Sequence, residues 1–421
     1  MKPSGIEWIG DIPDDWKVAK LSSIFIEHKE KNVGLKESNL LSLSYGKIKR
    51  KDINTNEGLL PQSFETYNII RKDDIVFRLT DLQNDKRSLR TAIATEPGII
   101  TSAYVTLRSK VGINSKYFHY LFHIYDICKV FYGMGDGVRQ GMGFADLKKL
   151  SILIPSIQTQ QKIADYLDEK CGEIDKTIEK QKESIEKLKA YKQSLISETV
   201  TKGLNKSTPL KPTGIDFLGD IPQNYKVCRI KNFCKLKTGS TPSSTDLNMF
   251  GGDKNWFTPI DFTENYLLER SVRSLNQKAF ENNIVPLFPA ESVLIVGIGA
   301  TTGKVGFTTI ESSSNQQITA IIPNKKKVLP KFLLYWMISN TKMLRETALF
   351  TTLPILNNET LGNAILLLPP MNNQIEIVKY LDNKKNEIDD LINKKQKIIK
   401  KLDAYKKSLI FECVTGKRKI A

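Results

Sequence analysis

The stretch PSIQTQQKIADYLDEKCGEIDKTIEKQKESIEKLKAYKQSLISETVT, residues 155–201, occurs twice in this chain. It returns without a gap as PPMNNQIEIVKYLDNKKNEIDDLINKKQKIIKKLDAYKKSLIFECVT, residues 369–415, and every residue stands 214 positions after its counterpart. Apolar residues in both copies follow alternating steps of four and three, which is the heptad spacing of a helix that packs along one side. Apart from Gly172, no glycine or proline interrupts either copy after its opening prolines. Each copy therefore predicts one long helix.

The predicted contact seam of each helix is apolar along most of its length. Its residues are Ile163, Leu167, Ile174, Ile178, Ile185, Leu188 and Leu195 in the first copy, and Ile377, Leu381, Ile388, Ile392, Ile399, Leu402 and Leu409 in the second. At about 1.5 Å per residue, roughly forty residues form a helix about 60 Å long. Two separate, solvent-exposed amphipathic helices are the alternative. Matched seams of this length favour two helices that pack on each other.

A shorter motif is duplicated as well. PSGIEWIGDIPDDWKVAKL, residues 3–21, recurs 209 positions later as PTGIDFLGDIPQNYKVCRI, residues 212–230. Glycine and proline together with aromatic residues predict a compact irregular segment rather than a strand or a helix. We call these segments the leading motifs, and we expect each of them to dock against the end of the other half's long helix. Each half then has the order leading motif, variable body, long helix.

The two bodies, about residues 22–150 and 231–366, are hard to align with each other. Short β-branched and apolar runs bounded by turn residues predict strands, and longer apolar stretches predict a helix in each body. The predicted strands are 40–45, 75–79, 92–95, 103–108, 292–296, 304–308 and 318–322, and the predicted helices are 116–130 and 330–347. Both bodies are therefore expected to be mixed α/β domains with much antiparallel sheet.

Charge and cysteine usage narrow the class of protein. Lys and Arg outnumber Asp and Glu by 63 to 46, which gives a formal charge of +17 and favours a polyanionic partner such as nucleic acid. A generally lysine-rich surface is the alternative. The 5 cysteines form no CxxC pair, so reduced thiols in a cytoplasmic protein are expected. No apolar run approaches the length of about 18 residues that a membrane span requires.

The sequence predicts no catalytic, cofactor or metal site. The run VGIGATTGKVG, residues 296–306, has GxGxxxG spacing and a lysine followed by valine, so it predicts a tight turn rather than a nucleotide loop. His119 and His123 could share one helical face, but no third ligand accompanies them, and histidines at the edge of the core are the better interpretation. No methyltransferase, nuclease or helicase signature is present. The bodies are therefore expected to bind a partner without performing chemistry themselves.

Basic and polar loops in the bodies are the candidates for that binding. Arg and Lys can read guanine, Asn and Gln can read adenine, and Ser or Thr can contact bases or phosphates. The candidate DNA-binding residues are Tyr45, Lys47, Lys49, Arg50, Arg78, Lys86, Arg87, Arg90, Arg139 and Gln140 in the first body, and Thr238, Ser240, Thr241, Ser243, Trp256, Thr301, Thr302, Lys304, Asn315, Gln316, Thr351 and Thr352 in the second.

With these repeats in place, the chain resembles the specificity subunit of type I restriction-modification systems over nearly its whole length. The resemblance rests on both leading motifs, on the helix openings IPSIQTQQKIADYLD (154–168) and LPPMNNQIEIVKYLD (368–382), and on three stretches of the second body. Those stretches are TGSTPSSTDLNMFGGDKNWF (238–257), VLIVGIGATTGKVGF (293–307) and NQQITAIIP (315–323). The second helix opening departs from the family in having Asn372 and Asn373 where an acidic residue is frequent, and Phe250 stands where Trp is usual.

This resemblance implies an α+β fold with two mixed α/β target-recognition domains, separated by two long antiparallel helices that form a coiled coil. A pseudo-two-fold internal repeat would relate the halves. The implied boundaries are 1–152 for the first domain, 153–203 for the first helix, 204–366 for the second domain, and 367–421 for the second helix and a basic tail.

In function, the resemblance implies that each domain reads one part of a bipartite asymmetric DNA site while the helices set the gap. The implied partners are double-stranded DNA and two methyltransferase subunits, which transfer a methyl group from S-adenosylmethionine to adenine. The full complex adds two restriction subunits that use ATP. The chain itself would hold no catalytic residue, metal or cofactor. A coiled-coil scaffold that binds proteins and a stand-alone DNA methyltransferase are the alternative functions.

Overall fold

The computed structural model describes residues 1–420 except 55–60, 62, 83–88, 111, 135–140, 244–246, 347–348 and 351–353. The chain divides into two compact units: unit 1 comprises Met1–Gln181 and Gln396–Ala421, and unit 2 comprises Lys182–Lys395. The division passes through both long helices, so each helix contributes one end to each unit. In the described ranges, no helix is long and apolar enough to cross a membrane.

Unit 1 contains mostly short strands. Its elements before the first long helix are β1 (Lys2–Pro3), β2 (Asp11–Ile12), β3 (Lys17–Lys20), β4 (Phe25–Glu27), β5 (Leu41–Ser44), β6 (Lys47–Arg50), β7 (Asn68–Ile70), β8 (Ile75–Phe77), β9 (Thr91–Ile93), β10 (Gly98–Ile100), β11 (Val105–Ser109), α1 (Ser115–Ile127), α2 (Phe144–Leu147) and β12 (Ser151–Ile154). The first long helix, α3 (Ile157–Lys202), follows.

Unit 2 continues from the end of α3. Its elements are β13 (Leu210–Pro212), β14 (Asp220–Pro222), β15 (Lys226–Arg229), α4 (Ile230–Phe233), β16 (Cys234–Thr238), β17 (Phe250–Phe257), β18 (Leu267–Leu268), β19 (Ser274–Leu275), β20 (Val293–Val296), β21 (Val305–Thr308), β22 (Ser313–Ser314), β23 (Ile318–Pro323), α5 (Pro330–Ser339), α6 (Thr341–Glu346), β24 (Leu349–Phe350), β25 (Pro354–Ile355), α7 (Asn358–Asn363) and β26 (Ile365–Leu368). The second long helix is α8 (Met371–Val414). Short 3-10 turns are Leu21–Ser23, Phe64–Thr66, Val130–Gly133, Leu247–Met249, Pro259–Asp261 and Gln277–Asn283.

The central sheets of the two units have the same strand order. In unit 1 the order is β4-β11-β8-β9, and in unit 2 it is β16-β23-β20-β21 with β18 added at the edge. The four corresponding strands are antiparallel in both sheets, whereas β18 pairs parallel to β21. The bodies therefore share an arrangement of strands that their sequences do not reveal.

A continuous apolar run forms the middle strand of each sheet because both faces of the sheet are covered. In β8, Ile75 and Phe77 join the core that includes α1, whereas Val76 packs on the opposite face with Leu41 and Leu43 of β5. In β20, alternate residues are likewise divided between two separate cores. Side chains of a strand point alternately to opposite faces, so a fully apolar strand fits only between two packed layers.

All predicted strands overlap an observed strand, but the predicted helix 330–347 is wrong in extent. Helix α5 ends at Ser339, and α6 begins at Thr341. Between them, the side-chain amide of Asn340 donates to the carbonyl of Trp336 at 2.8 Å. Asn disfavours a helix interior because its side chain competes for backbone hydrogen bonds, which accounts for the break.

The long helices begin just after their opening prolines, and a glycine follows the end of each helix. The hydroxyl of Ser156 accepts a hydrogen bond from the backbone N–H of Thr159 at 3.2 Å and so caps the start of α3. Gly203 and Gly416, which follow the two helices, have φ of +75° and +72°. This left-handed conformation ends a helix with little strain only when the residue is glycine.

Corresponding residues fasten each body to its long helix. In unit 1, Asp168 of α3 accepts from Tyr120 at 2.8 Å and pairs with Lys116 at 2.5 Å, both on α1. In unit 2, Asp382 of α8 accepts from Tyr335 at 2.6 Å and pairs with Lys331 at 2.6 Å, both on α5.

A buried glutamine adds a second fastening in each unit. Gln160 accepts from the backbone N–H of Asn114 at 3.0 Å, and Gln374 accepts from that of Leu329 at 2.8 Å. Each amide group also donates to the carbonyl of the proline that precedes its helix, Pro155 or Pro369, at 2.9 Å. These bonds fix the start of the body helix to the start of the long helix.

The leading motifs contact the helix ends as predicted. In unit 1, the ring of Trp8 lies 6.3 Å from that of Phe411, and a Cβ on Gly416 would lie 3.3 Å from Trp16. In unit 2, a Cβ on Gly203 would lie 2.7 Å from the hydroxyl of Tyr225. The prediction that the motifs lack strands is wrong. They form the pairs β1–β2 and β13–β14, and they supply β3 and β15, which pair with β12 and β26.

The predicted seam residues are all buried or half-buried. Ile163, Leu167, Ile377 and Leu381 are at most 2% exposed, whereas Leu188, Leu195, Ile399 and Leu402 are half-buried. An ion pair between the helices accompanies the seam in each unit: Lys406 with Asp175 at 2.7 Å in unit 1, and Lys192 with Asp389 at 2.7 Å in unit 2.

Candidate nucleic-acid interface

A two-residue hairpin carries several of the predicted basic residues of unit 1. Strands β5 and β6 are joined by Tyr45 and Gly46, whose φ values are +48° and +74°. Positive φ at both central positions is the geometry of the tight turn that suits two-stranded hairpins. The side chain of Tyr45 is 74% exposed at the tip, and Lys47 beside it is exposed. An exposed ring on a rigid turn can stack on a base.

A cationic cleft of about 600 Å³ lies against this hairpin. It brings Lys49, Arg50 and Lys51 of the hairpin strand together with Arg78 and Thr80, which follow β8. The remaining lining residues, all neutral, are Ser42, Leu43, Ser44, Thr101, Ala103 and Tyr104. Lysine, arginine and hydroxyl groups without a carboxylate among them suit a polyanion such as the DNA backbone, and Arg can also read guanine.

Arg50 is oriented by an acidic neighbour outside the cleft lining. Its guanidinium donates to both carboxylate oxygens of Glu96, with Nε to Oε1 at 2.6 Å. These hydrogen bonds raise the pKa of Arg50 and lower the pKa of Glu96. The guanidinium therefore stays charged but has part of its charge offset, which leaves Lys49, Lys51 and Arg78 as the stronger candidates for phosphate contact.

Arg90 does not fit the prediction that it contacts DNA. It is 0% exposed, and its guanidinium donates to the carbonyls of Thr80 at 2.7 Å and Asp81 at 3.3 Å. Its backbone N–H donates to buried Asp126. Arg90 thus holds the segment that follows β8, and it acts on the cleft by positioning Thr80 rather than by touching DNA.

Unit 2 has a cleft of about 240 Å³ with a different chemical lining. It contains the side chains of Thr238, Gln316, Gln317, Thr319, Asn357 and Asn358, with Gly297, Ile298, Ile355 and Leu356 completing it. None of these lining residues is charged. The carbonyl oxygen of the Asn358 side chain lies 3.1 Å from both the Thr238 and the Thr319 hydroxyls. Carboxamides held in this way can read adenine.

The two clefts occupy corresponding places on the matched sheets. The cleft of unit 1 lies where β8 ends and where the segment 101–104 leads into β11. The cleft of unit 2 lies where β20 ends and where Gln316 and Gln317 lead into β23. Strands β8 and β20 hold the same position in their sheets, as do β11 and β23.

Several predicted residues of unit 2 are structural instead. Trp256 is 2% exposed and donates from its indole N–H to the carbonyl of Ser240 at 3.0 Å. Thr302 is 2% exposed and donates to the carbonyls of Gly299 at 2.7 Å and Pro354 at 3.0 Å. Asn315 is 9% exposed and donates to the side chain of Gln317 at 2.9 Å. The expectation that Trp256 and Thr302 contact DNA is corrected by their burial, and Asn315 acts on the cleft through Gln317.

The remaining predicted residues are divided between surface positions and undescribed ones. Ser243 and Lys304 are exposed, and Ser240 and Thr301 are half-buried. Thr241 is exposed and donates to the side-chain carbonyl of Gln316. Predicted residues that lie outside the described residues are Lys86, Arg87, Arg139, Gln140, Thr351 and Thr352.

Of the lining residues, the sequence predicts only Lys49, Arg50 and Arg78 in the first cleft and only Thr238 and Gln316 in the second. Tyr104, Asn357 and Asn358 line them as well, but they stand outside the basic and polar loops that the sequence indicates. The one available signal was the Asn357-Asn358 pair, which begins α7: Asn357 caps the helix by accepting from the N–H of Thr360 at 2.8 Å.

The histidine pair is half-buried and lies beside core residues of α1. His119 and His123 lie on α1 with ring centroids 6.3 Å apart. Burial lowers the pKa of His119 to about 3, assisted by His123, and lowers the pKa of His123 to about 4, assisted by Lys406 and Lys407. Within the ranges that the structure describes, no group of three or more His, Cys, Asp or Glu side chains could hold a metal ion.

A family model and several known proteins match this chain in sequence. The family model of the type I restriction modification DNA specificity domain matches residues 13–190 and 222–401. A putative type I restriction enzyme MjaX specificity subunit from Methanocaldococcus jannaschii is 23% identical over 428 residues, covering 98% of this chain and 96% of that protein. The MjaIX specificity subunit of the same organism is 30% identical over 194 residues, covering 45% of this chain and 43% of that protein.

Two solved structures share the fold. One, from work on complex assembly and conformational transition of the type I R-M system, superposes with a TM-score of 0.75 at 15% identity and covers 97% of this chain and 100% of its own. The HsdS subunit from Thermoanaerobacter tengcongensis gives a TM-score of 0.51 at 14% identity, covering 97% of this chain and 98% of its own. With a specificity-domain match in each half, this chain belongs to the type I restriction-modification DNA specificity family as a specificity subunit.

Proposed function

We propose that this chain recognises a bipartite, asymmetric DNA site, with each body reading one part. The observation that carries this proposal is the pair of clefts at corresponding ends of matched strands, one cationic and one rich in carboxamides. The central sheets have the same strand order, whereas the residues that line the two clefts differ in chemistry. Two recognition surfaces of different chemistry on one repeated framework are what an asymmetric site in two parts requires.

The long helices set the gap between the two parts in this proposal. We infer that they form an antiparallel coiled coil under a pseudo-two-fold repeat, between target-recognition domains at residues 1–152 and 204–366, with the helices in 153–203 and 367–421. The corresponding ion pairs and buried seam residues support this. Half-sites about one duplex turn apart are roughly 34 Å from each other, and linkage raises the effective concentration of the second domain at its half-site.

The chain recognises DNA but leaves methyl transfer to its partners in this proposal. Those partners are two methyltransferase subunits, docked along the long helices, and two restriction subunits in the full complex. The relatives are named as subunits of type I restriction enzymes, which supports a multi-subunit assembly.

The test is co-expression with the methyltransferase subunit encoded beside it, followed by sequencing of the modified bases in the host genome. A methylated motif in two parts with an unspecified spacer of constant length is expected, and it should be absent when the methyltransferase is expressed alone. A contiguous motif, or the same motif without this chain, would contradict the proposal.

A further inference from the structure

We propose that Gln316, oriented by Thr241, reads an adenine at one position of the half-site that unit 2 binds. This inference rests on the proposed function, and it assigns a base class to one of the two clefts.

The lining excludes the other common base contacts. Guanine is read by Arg or Lys through its O6 and N7 acceptors, and cytosine N4 is read by Asp or Glu. Among the described residues that line the cleft of unit 2, none is of either kind, whereas Lys49, Arg50 and Lys51 line the corresponding cleft of unit 1. The remaining readers in unit 2 are carboxamides and hydroxyls, and a carboxamide pairs with adenine through N6 and N7.

Gln316 is the carboxamide best placed to meet a base edge. Its side chain is exposed, whereas Gln317 is half-buried and accepts from Asn315 at 2.9 Å. Asn358 is bound to Thr238 and lies within 3.1 Å of the Thr319 hydroxyl, and Asn357 caps α7. Asn357 and Asn358 are exposed as well, but the structural partners of these neighbours engage their carboxamides, so Gln316 is the best candidate to read a base.

The hydrogen bond from Thr241 fixes the orientation of the Gln316 carboxamide. Its hydroxyl donates to the Oε1 of Gln316, which leaves that oxygen a second lone pair for the adenine N6 amino group. The Nε2 group then points to donate to adenine N7. Because a carboxamide with its ends reversed would present the wrong pattern, Thr241 acts as a positioning residue.

An aliphatic contact on the same cleft completes an A·T pair. Ile298 and Ile355 form an isolated antiparallel bridge and are both half-buried, so each keeps part of its side chain on the surface. The C5-methyl of thymine is the apolar group in the major groove. An amide reader beside aliphatic side chains matches an A·T pair and matches a G·C pair poorly.

The experiment uses the complex with its methyltransferase and compares the methylated motif of Gln316→Ala, Gln316→Glu and Thr241→Val with that of the unchanged complex. Gln277→Glu is the matched control, because Gln277 is exposed in the same unit and is not among the lining residues of the cleft. Gln316→Ala should reduce the preference for adenine at one position of one half-site by about 10- to 100-fold. Gln316→Glu should move the preference at that position towards cytosine.

Thr241→Val should relax the same position less than Gln316→Ala does, while the other half-site and the spacer stay unchanged. An adenine preference that survives Gln316→Ala would overturn the inference, as would a half-site for unit 2 with no adenine. A change at the other half-site would overturn it as well. The absence of any motif in two parts from the unchanged complex would instead overturn the proposed function, so the two failures are distinguishable.

Discussion

The ammonium group of Lys406 donates to both carboxylate oxygens of Asp175 at 2.7 Å. In the other unit, Lys192 donates to Asp389 at the same distance. Lys406 stands 214 positions after Lys192, and Asp389 stands 214 positions after Asp175. Each copy of the helix therefore supplies the lysine of one pair and the acid of the other. This reciprocal pairing supports the proposed pseudo-two-fold repeat of two antiparallel helices.

The two ion pairs should differ in strength because they differ in exposure. The side chain of Lys192 is 12% exposed, against 25% for Lys406, and exposed pairs contribute roughly 0.2–1 kcal/mol. Double-mutant cycles with Lys192→Met and Asp389→Asn, and with Lys406→Met and Asp175→Asn, should give a coupling free energy about twice as large for the first pair. Denaturant unfolding of the single and double variants measures this coupling free energy. A larger coupling for Lys406 and Asp175 would contradict the expectation.

Gln374→Ala should destabilise the protein strongly. The side chain of Gln374 is 0% exposed, accepts from Leu329 N–H, and donates to the carbonyls of Lys327 and Pro369. Truncation leaves buried backbone groups without partners, which costs about 1–3 kcal/mol. The unfolding free energy should fall by that amount. Gln161→Ala, on the exposed face of α3, should change it by less than about 0.5 kcal/mol, and equal effects would count against the buried bonds as the cause.

The long helices, their seams and the docking of the leading motifs could be predicted because they are encoded locally and repeated. A heptad pattern needs only neighbouring residues, and duplication confirms it within the same chain. The clefts could be predicted only in part. The fold places Arg78 and Lys49 in the lining of the same cleft, and the spacing of these residues in the sequence does not indicate it.

Burial was the second obstacle to predicting the site. Trp256 and Arg90 have the chemistry of DNA-contacting residues, but both are at most 2% exposed. Strand β17 was missed because its glycines disfavour a strand. A Cβ on Gly252 would lie 2.3 Å from the Cα of Asn276, so this glycine is required by close packing of two neighbouring backbone segments rather than by a turn.

Lys49→Ala combined with Lys51→Ala should weaken DNA binding without changing the recognised sequence. Both lysines line the cationic cleft, and each phosphate contact that is lost reduces the salt dependence of binding by about one unit of slope. The plot of log affinity against log salt concentration should therefore become shallower by about two. Lys206→Ala, in the exposed connection after α3, is the control. An unchanged slope in the double variant would exclude phosphate contact by these lysines.

His119 and His123 should make unit 1 sensitive to acid. Burial lowers their pKa values to about 3 and about 4, whereas an unfolded histidine has a pKa near 6.5. The unfolded state therefore binds more protons than the folded state as the pH falls below about 6.5, and the folded state loses stability until the pH nears 3.

The other half of the chain supplies the matched variant for this prediction. The residues 215 positions later, on α5, are Leu334 and Ile338, which are 9% and 2% exposed. His119→Leu with His123→Ile should flatten the plot of melting temperature against pH between about 4 and 6.5, and Leu334→His with Ile338→His should steepen it. An unchanged profile in the first variant would show that acid sensitivity arises elsewhere.

Lengthening both helices by one heptad should lengthen the spacer of the DNA site. Insertions after Gln181 and after Lys395 fall at corresponding positions, since these residues are 214 apart, and at the boundaries between the compact units. Seven residues add about 10.5 Å to a helix, which corresponds to about three base pairs at about 3.4 Å each. The methylated motif should keep both half-sites and gain about three unspecified base pairs.

Insertion into one helix alone should disturb the pairing of Lys192 with Asp389 or of Lys406 with Asp175, and so lower the melting temperature. A folded double-insertion variant that keeps the original spacer would show that something other than helix length sets the gap.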